Sequence, residues 1–543
     1  MKRWNIISSY DDKKDIVQQI LLGRGISDTD NFLTTPPFSY FIDKLPHELK
    51  ESFNEARNII LDGIKDKKHI IIYGDYDADG ICSTAVLYKT LKEELKTDNI
   101  SYFIPNRSKH GYGLSMEAIN YLESENSLYD SIIITVDTGI TAVNEINYLK
   151  NKGSTVVIVD HHQKPDELPN SDCIVWNDST VATTLCWILS KYLGSSDKSL
   201  ISLSALATVT DVQPLVGFNR AIVKAGLAVL NTNPPSGIKE LMILAGKGAS
   251  EITAYDLGWV IGPRLNAPGR LENADTALIL LLENNTDRIK EAAYTLNKLN
   301  MERQDITADM FKTSVDYEEN NLPVIIVSAS ENYHEGIIGL ISAKITQKYY
   351  RPSIVISLSN ELGKGSARSI KGIDIISLLR KFEYLFENLG GHPMAAGFSI
   401  KKENIPILEK EINLYLENNI DENILIPQLN IDLEIPIDKI DNDLITKIER
   451  MKPYGIGNEE PLFMSKCLGI SEKNIIGKES QHVVYKLYKE GKYYKGIYFD
   501  GVLPSQEYNF GDKVDVVYTL KRNQYQGKVS IDLIIKDLRK CLT

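Results

Sequence analysis

The sequence predicts an α/β protein of several domains: a parallel sheet covered by helices, a smaller second α/β domain and a C-terminal β-barrel. In the first half, continuous Ile/Val runs alternate with helical patterns, as buried parallel strands do. A long helical pattern without Pro or Gly then leads to a second α/β pattern, and short alternating strands rich in aromatic residues follow. At 543 residues, the chain exceeds what one hydrophobic core usually supports.

The first α/β domain is predicted from apolar runs that end at, or lead to, acidic motifs. Residues 1–65 are expected to be mixed helix and loop. In open parallel sheets, ligands lie beyond the carboxyl ends of the strands, which is where the acidic motifs fall. The predicted strand-like runs are residues 69–73, 132–136, 156–159 and 200–209, with helices at 81–95 and 141–150.

The rest of the chain is predicted to contain a connecting helix, a second α/β domain and the barrel. The connecting helix covers residues 276–311, and short strands begin near residue 424. The second α/β domain is expected to have strands at 324–327 and 354–356 and a helix near 337–348. We therefore expect an N-terminal segment at 1–65, a first α/β domain at 66–215, a helical connector at 216–320, a second α/β domain at 321–422 and the barrel at 423–543.

Composition says more about the cellular compartment of the protein than about its function. The net charge of −12 weighs against nucleic-acid binding over the whole surface but permits a local basic groove. The cysteines (Cys82, Cys173, Cys186, Cys467 and Cys541) form no Cys-x-x-Cys pair, which argues against a zinc ribbon or a disulfide framework. No signal segment or membrane-spanning run is visible. We expect a cytoplasmic protein without membrane association.

Four acidic motifs indicate a metal centre. They are Gly-Asp-Tyr-Asp-Ala-Asp-Gly at residues 74–80, Asp137-Thr138-Gly139, Asp160-His161-His162 and Thr210-Asp211. Asp77 and Asp79 can converge on one cation, although a turn or a helix cap explains them equally well when taken alone. Carboxylate ligands together with imidazole favour manganese or magnesium.

A charge argument favours two ions. Four converging carboxylates (Asp77, Asp79, Asp137 and Asp211) would repel one another without counter-ions. Two divalent cations cancel that charge, and a pair about 3.5–4 Å apart can clamp a phosphoryl group for in-line attack by hydroxide. His162 is then free to contact the phosphate.

Further polar positions are candidate phosphate ligands. Residues 365–369 (Gly-Ser-Ala-Arg-Ser) offer backbone N–H groups, hydroxyls and the guanidinium of Arg368, although a Gly-rich turn with a surface arginine explains them as well. Gly390-Gly391-His392 permits close backbone approach but also fits an ordinary turn. Arg107 and Arg270 are further candidates.

Taken together and in order, these motifs resemble the DHH phosphoesterases and, among them, the RecJ family of single-strand-specific exonucleases. Supporting segments are Leu-Gly-Arg-Gly-Ile at 22–26, Ile-Pro-Asn-Arg at 104–107, Gly-Tyr-Gly-Leu at 111–114, Asn-Ala-Pro-Gly-Arg at 266–270 and Pro-Tyr-Gly-Ile-Gly-Asn at 453–458. The resemblance implies a DHH domain, a long helix, a DHHA1 domain and an OB-fold barrel. It also implies a Mn²⁺- or Mg²⁺-dependent enzyme with two ions that removes 5′-mononucleotides from single-stranded DNA in the 5′ to 3′ direction.

The resemblance also implies roles for individual residues. The implied metal ligands are Asp77, Asp79, Asp137, His161 and Asp211. Asp75 and Asp160 would be ligands or their partners, and His162 would face the scissile phosphate. The implied phosphate or DNA contacts are Arg107, Tyr112, Asn266, Arg270, Ser366, Arg368, Ser369, Gly391 and His392, with Tyr112 as a base-stacking wedge.

Three departures from the family pattern stand out. Tyr73 occupies a position where some relatives have His, His334 lies in a variant of the usual Trp-His-Pro-Gly pattern, and residues 180–184 lack a glycine. Two rival functions are a small-substrate phosphodiesterase, of the oligoribonuclease or cyclic-dinucleotide type, and a non-catalytic single-strand-binding replication scaffold. Expected partners are single-stranded DNA, a RecQ-type helicase and a single-strand-binding protein, with the chain acting as a monomer in DNA repair and recombination.

Overall fold

The computed structural model describes residues 2–111, 113–125, 128–315, 317, 321–525 and 528–541. The chain divides into two compact units. The first comprises Met1–Asp43, Pro214–Ala221 and Pro427–Thr543, and the second comprises Lys44–Gln213 and Ile222–Ile426.

The strands of the described residues are numbered in chain order. They are β1 (Arg3–Ser9), β2 (Ile70–Gly74), β3 (Ile100–Phe103), β4 (Ile132–Val136), β5 (Thr155–Asp160), β6 (Cys173–Trp176), β7 (Ile326–Ser330), β8 (Ser353–Ser359), β9 (Leu362–Arg368), β10 (Phe386–His392), β11 (Ala395–Lys401), β12 (Gln428–Glu434), β13 (Phe463–Ile476), β14 (His482–Lys489), β15 (Lys492–Tyr498), β16 (Lys513–Tyr525) and β17 (Lys528–Lys540).

The α-helices are numbered in the same way. They are α1 (Ile16–Gly23), α2 (Thr29–Thr34), α3 (Phe38–Asp43), α4 (His47–Lys65), α5 (Ala78–Lys89), α6 (Arg107–His110), α7 (Met116–Glu125), α8 (Val143–Asn151), α9 (Ala182–Tyr192), α10 (Leu200–Thr210), α11 (Gly217–Thr232), α12 (Ser236–Leu244), α13 (Ala254–Asp256), α14 (Gly262–Leu271), α15 (Asp275–Leu282), α16 (Thr286–Ser314), α17 (Ile338–Tyr349), α18 (Ile375–Arg380), α19 (Ile405–Asn419) and α20 (Asn442–Glu449).

The second unit contains a five-stranded, fully parallel sheet in the order β3-β2-β4-β5-β6. Every residue of β2 and β4 is buried, because helices cover both faces of the sheet. One face packs against α7 and α8 through Ile119, Leu122, Ile146 and Leu149. The other face packs against α5 and α9, and α10 packs against these two helices. This confirms the predicted parallel α/β sheet.

A second sheet of the same unit has the order β10-β11-β9-β8-β7. Strands β7 and β8 are parallel, and the remaining pairs are antiparallel. Residues of α18 and α19, including Leu379 and Ile412, form the core on one face. Ile341 and Ile345 of α17 belong to the core on the other face.

The first unit contains a closed barrel. Strands β13, β14, β15, β17 and β16 are joined in that order, and pairing of β13 with β16 closes the ring. Inward residues alternate along β14, where Val483, Tyr485 and Leu487 are all fully buried. The predicted C-terminal β-barrel is therefore confirmed.

Two arginines anchor the supporting sequence segments of this unit. Arg24 binds Asp432 through Nε and Nη2 at 2.7 and 2.8 Å. Arg220 is 2% exposed and donates to the carbonyl oxygens of Phe32, Arg450, Lys452 and Pro453. Segments far apart in the chain are thereby fixed together by hydrogen bonds in the barrel unit.

The expectation of a strand-like run at residues 200–209 is wrong. These residues form helix α10, and nearly all of its side chains are buried. A helix buried all round has no polar face, so its sequence cannot be distinguished from a buried strand by periodicity.

Three smaller expectations also need correction. Residues 3–9 form β1, which pairs in parallel with β12 and so depends on a partner more than 400 residues away. The region 276–311 contains two helices, because Asn285 caps α16 by accepting from the N–H groups of Asp287 and Arg288. Cys467 and Cys541 form a disulfide, which their separation of 74 residues concealed.

Among the described residues, no helix has both the length and the apolar character needed to cross a membrane.

Candidate metal centre and phosphate site

The carboxyl ends of β2, β4 and β5 meet at one edge of the parallel sheet, because the three strands are parallel neighbours. Asp75 follows β2, Asp137 follows β4, and Asp160 is the last residue of β5. Their exposed fractions are 3%, 2% and 1%. The structure therefore brings three acidic motifs together where the sequence places them.

The backbone of Asp137 is left-handed, with φ of 59°. This conformation is costly for a residue with a side chain, by about 1–2 kcal/mol. It is held because the Asp137 N–H donates to the carbonyl oxygen of Val159 at 3.0 Å. Strain of this kind is typical of functional sites, where the surroundings fix the direction of a side chain.

Asp160 organises the two histidines that follow it. Its Oδ1 accepts from the His161 N–H at 2.7 Å and lies 2.8 Å from His162 Nδ1. Its Oδ2 accepts from the N–H of Ile140, in the loop after Asp137, at 3.0 Å. Asp160 is therefore a positioning residue that ties the second acidic loop to the His-His pair.

The loop after β2 places two carboxylates differently. Asp77 caps α5, since its Oδ1 accepts from the N–H groups of Asp79 and Gly80 at 2.9 and 3.1 Å. Asp79 points into the site and is fixed by the first turn of α9. Its Oδ2 accepts from Ala182 N at 2.9 Å, and its Oδ1 accepts from Thr183 N at 2.9 Å and the Thr183 hydroxyl at 2.5 Å.

His161 is the point of convergence. Its Nε2 lies 3.1 Å from Asp137 Oδ1, 3.5 Å from Asp79 Oδ2 and 3.9 Å from Asp211 Oδ2. Asp211 directly follows α10. It thus lies close to a cluster of residues that follow three different strands, β2, β4 and β5. Three residues that the family resemblance implies as metal ligands therefore lie within 4 Å of a fourth, His161.

The acidic residues form two groups that share Asp137. One group is Asp137 with His161 and His162, and the other is Asp137 with Asp75 and Asp77; within each, the candidate ligand atoms lie within 4.8 Å of one another. Among the described residues, Asp75 Oδ1 and Asp137 Oδ1 accept no hydrogen bond. Two adjoining cation sites bridged by Asp137 fit this arrangement.

The electrostatics also fit bound cations. Burial and the charge of Asp77 raise the pKa of Asp75 to about 8. Burial and the charge of Asp79 raise the pKa of Asp211 to about 6, and burial with several neighbouring carboxylates raises the pKa of Asp137. Carboxylates in such a site need positive charge in order to stay ionised at neutral pH, and divalent ions supply it.

His162 is poised to be a cation. Burial by itself lowers its pKa, but the hydrogen bond and charge of Asp160, with the charges of Asp77 and Asp75, raise it to about 9. The charged imidazole is suited to bind an anionic oxygen near the carboxylates.

A cluster of arginines lies next to the acidic loops. Burial, together with the charges of Arg107, Arg303 and Arg368, lowers the pKa of Arg270 to about 10. None of these four forms an ion pair with a carboxylate among the described residues. Arginines without an ion-paired carboxylate suit a phosphate, which guanidinium groups bind through paired hydrogen bonds.

Residues at the end of β9 complete this cluster. Arg368 Nη1 donates to Ser366 Oγ at 3.0 Å. Gly339, in the first turn of α17, approaches both: a Cβ there would lie 3.0 Å from Arg368 Nη2 and 3.2 Å from Ser366 Oγ. The cluster thus lies beside a helix N-terminus, where backbone N–H groups favour an anion.

Helix α14 connects the acidic and basic groups. Asn266 Oδ1 accepts from the N–H of Ala78, in the first acidic loop, at 2.7 Å. Arg270, one turn later, donates to the carbonyl oxygen of Gly336 at 3.3 Å. One helix therefore holds the metal loop at one position and a phosphate-cluster arginine at the next turn.

Comparison with known proteins agrees with this architecture. Family models described as "DHH family, N-terminal domain", "DHHA1 domain" and "RecJ OB domain" match residues 69–210, 321–418 and 431–537. The single-stranded-DNA-specific exonuclease RecJ of Bacillus subtilis is 32% identical, over 96% of this chain and 67% of its own length. The RecJ of Thermus thermophilus is 30% identical, over 90% of this chain and 71% of its own.

The chain belongs to the RecJ family. A crystal structure of RecJ from Thermus thermophilus in complex with Mn²⁺ has a TM-score of 0.82 and 26% identity, covering 100% of this chain and 80% of that one. The DHH, DHHA1 and OB domains implied by the resemblance are therefore confirmed. The same Thermus protein has also been crystallised with Mg²⁺.

The other predicted phosphate or DNA contacts are Ser369, Gly391, His392 and Tyr112. The Ser369 hydroxyl donates to the carbonyl oxygen of Ile373 at 2.6 Å and so is used within its own turn. His392 and Gly391 are exposed at the end of β10, and the pKa of His392 is lowered by burial and by the charges of His162 and His161. Tyr112 lies outside the described residues.

The structure shows what the residues at the three departures from the RecJ pattern contact. Tyr73 is fully buried in β2, and its hydroxyl donates to the carbonyl oxygen of Gly113 at 2.9 Å. His334 Nδ1 accepts from the N–H of Gly336 in a local turn. In the glycine-free segment at 180–184, Thr183 makes the close approach to Asp79 with its own backbone and hydroxyl.

Sequence reasoning missed Thr183, Gly339 and Arg303. Thr183 lies in the segment 180–184, which stood out only for its missing glycine, and Gly339 begins a helix that no charge or motif marks as part of a site. Arg303 lies in the long α16 and resembles any polar helix residue. Only the fold places these residues beside the carboxylates or the arginines.

Proposed function

We propose that the chain is a single-stranded-DNA-specific 5′–3′ exonuclease that releases 5′-mononucleotides by metal-dependent phosphodiester hydrolysis. The observation that carries this proposal is the adjacency of the two groups on α14: Asn266 holds the acidic loop and Arg270 belongs to the arginine cluster. A cation centre one helical turn from a phosphate site suits cleavage close to a phosphorylated end.

Each part of the site has a proposed task. Asp77, Asp79, Asp137, His161 and Asp211 hold two Mn²⁺ or Mg²⁺ ions, with Asp75 and Asp160 as ligands or positioning partners. Two such ions, when bound, activate water and neutralise charge on the phosphoryl oxygens. The charged imidazole of His162 binds a non-bridging oxygen of the scissile phosphate and holds it in line.

The arginine cluster sets the polarity. Arg107, Arg270 and Arg368, together with Ser366, grip the 5′-terminal phosphate, with Asn266, Ser369, Gly391 and His392 as further proposed contacts and Tyr112 as a proposed wedge. The phosphodiester one nucleotide further along then lies at the carboxylates. This geometry supports release of one nucleotide per cleavage, beginning at the 5′ end.

The rival functions are less well supported. A non-catalytic scaffold has no need for a complete Asp and His set with strained and desolvated carboxylates. A small-substrate phosphodiesterase has no need for the barrel, which is the part matched by the RecJ OB domain. Both features favour a nuclease that acts on a longer strand.

The test is digestion of 5′-labelled single-stranded DNA with Mn²⁺, beside duplex DNA, dinucleotides and pyrophosphate. We expect mononucleotides from the single strand, and no product from Asp137→Ala. Asp130→Ala is the matched control, since Asp130 is an exposed carboxylate before the amino end of β4. Activity confined to dinucleotides or pyrophosphate, or full activity of Asp137→Ala, contradicts the proposal.

We further propose a monomer in the cytoplasm that acts in DNA repair and recombination beside a RecQ-type helicase and a single-strand-binding protein. The five-part domain division at residues 65, 215, 320 and 422 remains part of this proposal. Cys82, Cys173 and Cys186 are buried and form no disulfide, which fits a reducing compartment, whereas Cys467 and Cys541 are disulfide-bonded. Light scattering of the purified chain tests the monomer, and pull-down with each purified partner tests the associations.

A further inference from the structure

The segment Ala254–Leu271 is one continuous helical rod with a π-helical turn at Leu257–Ile261 between α13 and α14. Its buried side carries Gly262 and Gly269. A Cβ at Gly262 would lie 2.3 Å from Thr210 Cγ2, next to Asp211, and a Cβ at Gly269 would lie 2.7 Å from the carbonyl oxygen of Tyr76. The rod is thus seated directly against the chain segments that carry metal-centre carboxylates.

A second set of residues lies along the rod. Asn266 and Arg270 are four residues apart in α14 and share a face. Trp259 lies seven residues before Asn266, in the π-helical turn, where a Cβ at the neighbouring Gly258 would lie 3.3 Å from Val209 Cγ1, two residues before Asp211. Trp259 is about 10 Å along the axis from Asn266, at a rise of about 1.5 Å per residue. The rod therefore runs from the arginine cluster, past the metal loop, to Trp259.

Beyond the metal loop, the solvent-exposed surface of the rod is aromatic. Trp259 and Tyr255 are 70% and 64% exposed. Their rings are stacked, with centroids 6.3 Å apart and an interplanar angle of 28°. Lys247 Nζ lies 5.7 Å from the Tyr255 ring centroid and also forms an ion pair with Asp256. Arg264, which forms no ion pair among the described residues, donates to Asn297 and Val260.

Two features distinguish this pair from scattered surface aromatics. Large exposed rings that stack on one another offer a flat apolar surface that water solvates poorly. A π-helical turn inside an α-helix is uncommon and is frequently found at functional sites. Here the turn carries Trp259 and packs on the helix that ends at Asp211.

We propose that Trp259 and Tyr255 form a stacking platform for bases of the single strand on the 3′ side of the scissile phosphate. The inference rests on the proposed exonuclease function. A distance of about 10 Å corresponds to roughly three stacked nucleotides at about 3.4 Å each. The platform therefore engages long strands, and a dinucleotide ends before reaching it.

The first test compares substrate lengths with the full chain and Mn²⁺. For Trp259→Ala, we expect the ratio of KM for a 5′-phosphorylated 20-nucleotide oligo(dT) to KM for the dinucleotide to rise about tenfold, the size of one lost stacking contact. Trp259→Phe retains a ring and should recover most of the loss. Tyr129→Ala is the matched control, because Tyr129 is 77% exposed but precedes the amino end of β4. An equal change at both lengths contradicts the platform.

The second test does not depend on catalysis. In chelator, oligo(dT) should quench the tryptophan fluorescence of the wild type, less in Tyr255→Ala and least in Trp259→Phe. Persistent Trp259-dependent quenching in a protein that releases no mononucleotides supports the platform while overturning the exonuclease proposal. If hydrolysis is normal and Trp259 substitutions alter neither the KM ratio nor the quenching, the platform is overturned. The exposed rings would then be a binding surface for a protein partner.

Discussion

Thr183 holds the carboxylate of Asp79 with both its backbone N–H, at 2.9 Å, and its hydroxyl, at 2.5 Å. The contact joins the loop after β2 to the first turn of α9, more than 100 residues later in the chain. Asp79 is thereby fixed toward His161 before any cation binds. Groups that orient a metal ligand in this way typically change metal affinity or activity 10–100-fold when removed.

Thr183→Ala should therefore raise the Mn²⁺ concentration needed for half-maximal activity about tenfold. The hydroxyl that orients Asp79 is lost, whereas the backbone N–H remains. Titration of activity with Mn²⁺ measures the effect, and Thr183→Ser should restore the wild-type value. Thr184→Ala is the matched control, because the neighbouring buried hydroxyl has no hydrogen-bond partner among the described residues. Equal effects of the two alanine variants contradict the assigned role.

The metal-free protein should lose stability as pH rises. The folded-state pKa values of Asp75 (about 8) and Asp211 (about 6) lie above the ordinary value of 3.8, so the folded state holds protons that the unfolded chain releases. His162, whose pKa is raised from 6.5 to about 9, acts in the same direction. The loss begins near pH 4 and continues to about pH 9. Urea midpoints of the second unit in chelator measure it.

Bound cations should reverse this trend. Divalent ions require deprotonated ligands, so Mn²⁺ should stabilise the protein increasingly as pH rises over the same interval. In chelator, Asp75→Asn should flatten the pH dependence, since it removes a carboxyl group whose pKa is raised to about 8. A metal-free protein that gains stability from pH 5 to pH 8 contradicts the proposed cluster of desolvated carboxylates.

The parallel sheet and its acidic edge were predictable because they follow from local patterns. Strands β2 and β4 are nearly continuous runs of branched residues, and each is followed by an Asp. Position at the carboxyl end of a parallel strand then suffices to bring Asp75 and Asp137 together. Here sequence order and spatial order are related by a simple rule.

Features that depend on distant pairing were not predictable. Helix α10 was misread because burial on all sides removed its periodicity, and β1 forms only because β12 lies beside it. Thr183 is one of several threonines, and only its place at the start of α9 brings it to Asp79. The family resemblance named the ligand types, but it did not contain the contacts that orient them.

Arg220 should be essential to the stability of the barrel unit. Arg220→Leu removes the donor to the carbonyl oxygens of Phe32, Arg450, Lys452 and Pro453 and leaves buried acceptors unsatisfied. A loss of about 3 kcal/mol is expected. Hydrogen exchange of β13 and β16 reports it separately from the second unit. Arg450→Leu is the control, since the Arg450 side chain is exposed and only its backbone carbonyl is used. Unchanged protection in Arg220→Leu contradicts this role.

Arg270 should determine the preference for a phosphorylated 5′ end. Its guanidinium is surrounded by Arg107, Arg303 and Arg368 and lies one helical turn from Asn266, which holds the metal loop. A charged hydrogen bond contributes about 1.5–3 kcal/mol. Arg270→Met should accordingly raise KM for 5′-phosphorylated oligo(dT) about 10–100-fold and change KM for the 5′-hydroxyl form much less. Arg380→Met, at an exposed arginine of α18, should leave both values unchanged. If Arg270→Met weakens both substrates equally, Arg270 supports the fold of α14 instead, and the 5′ polarity must come from other residues of the cluster.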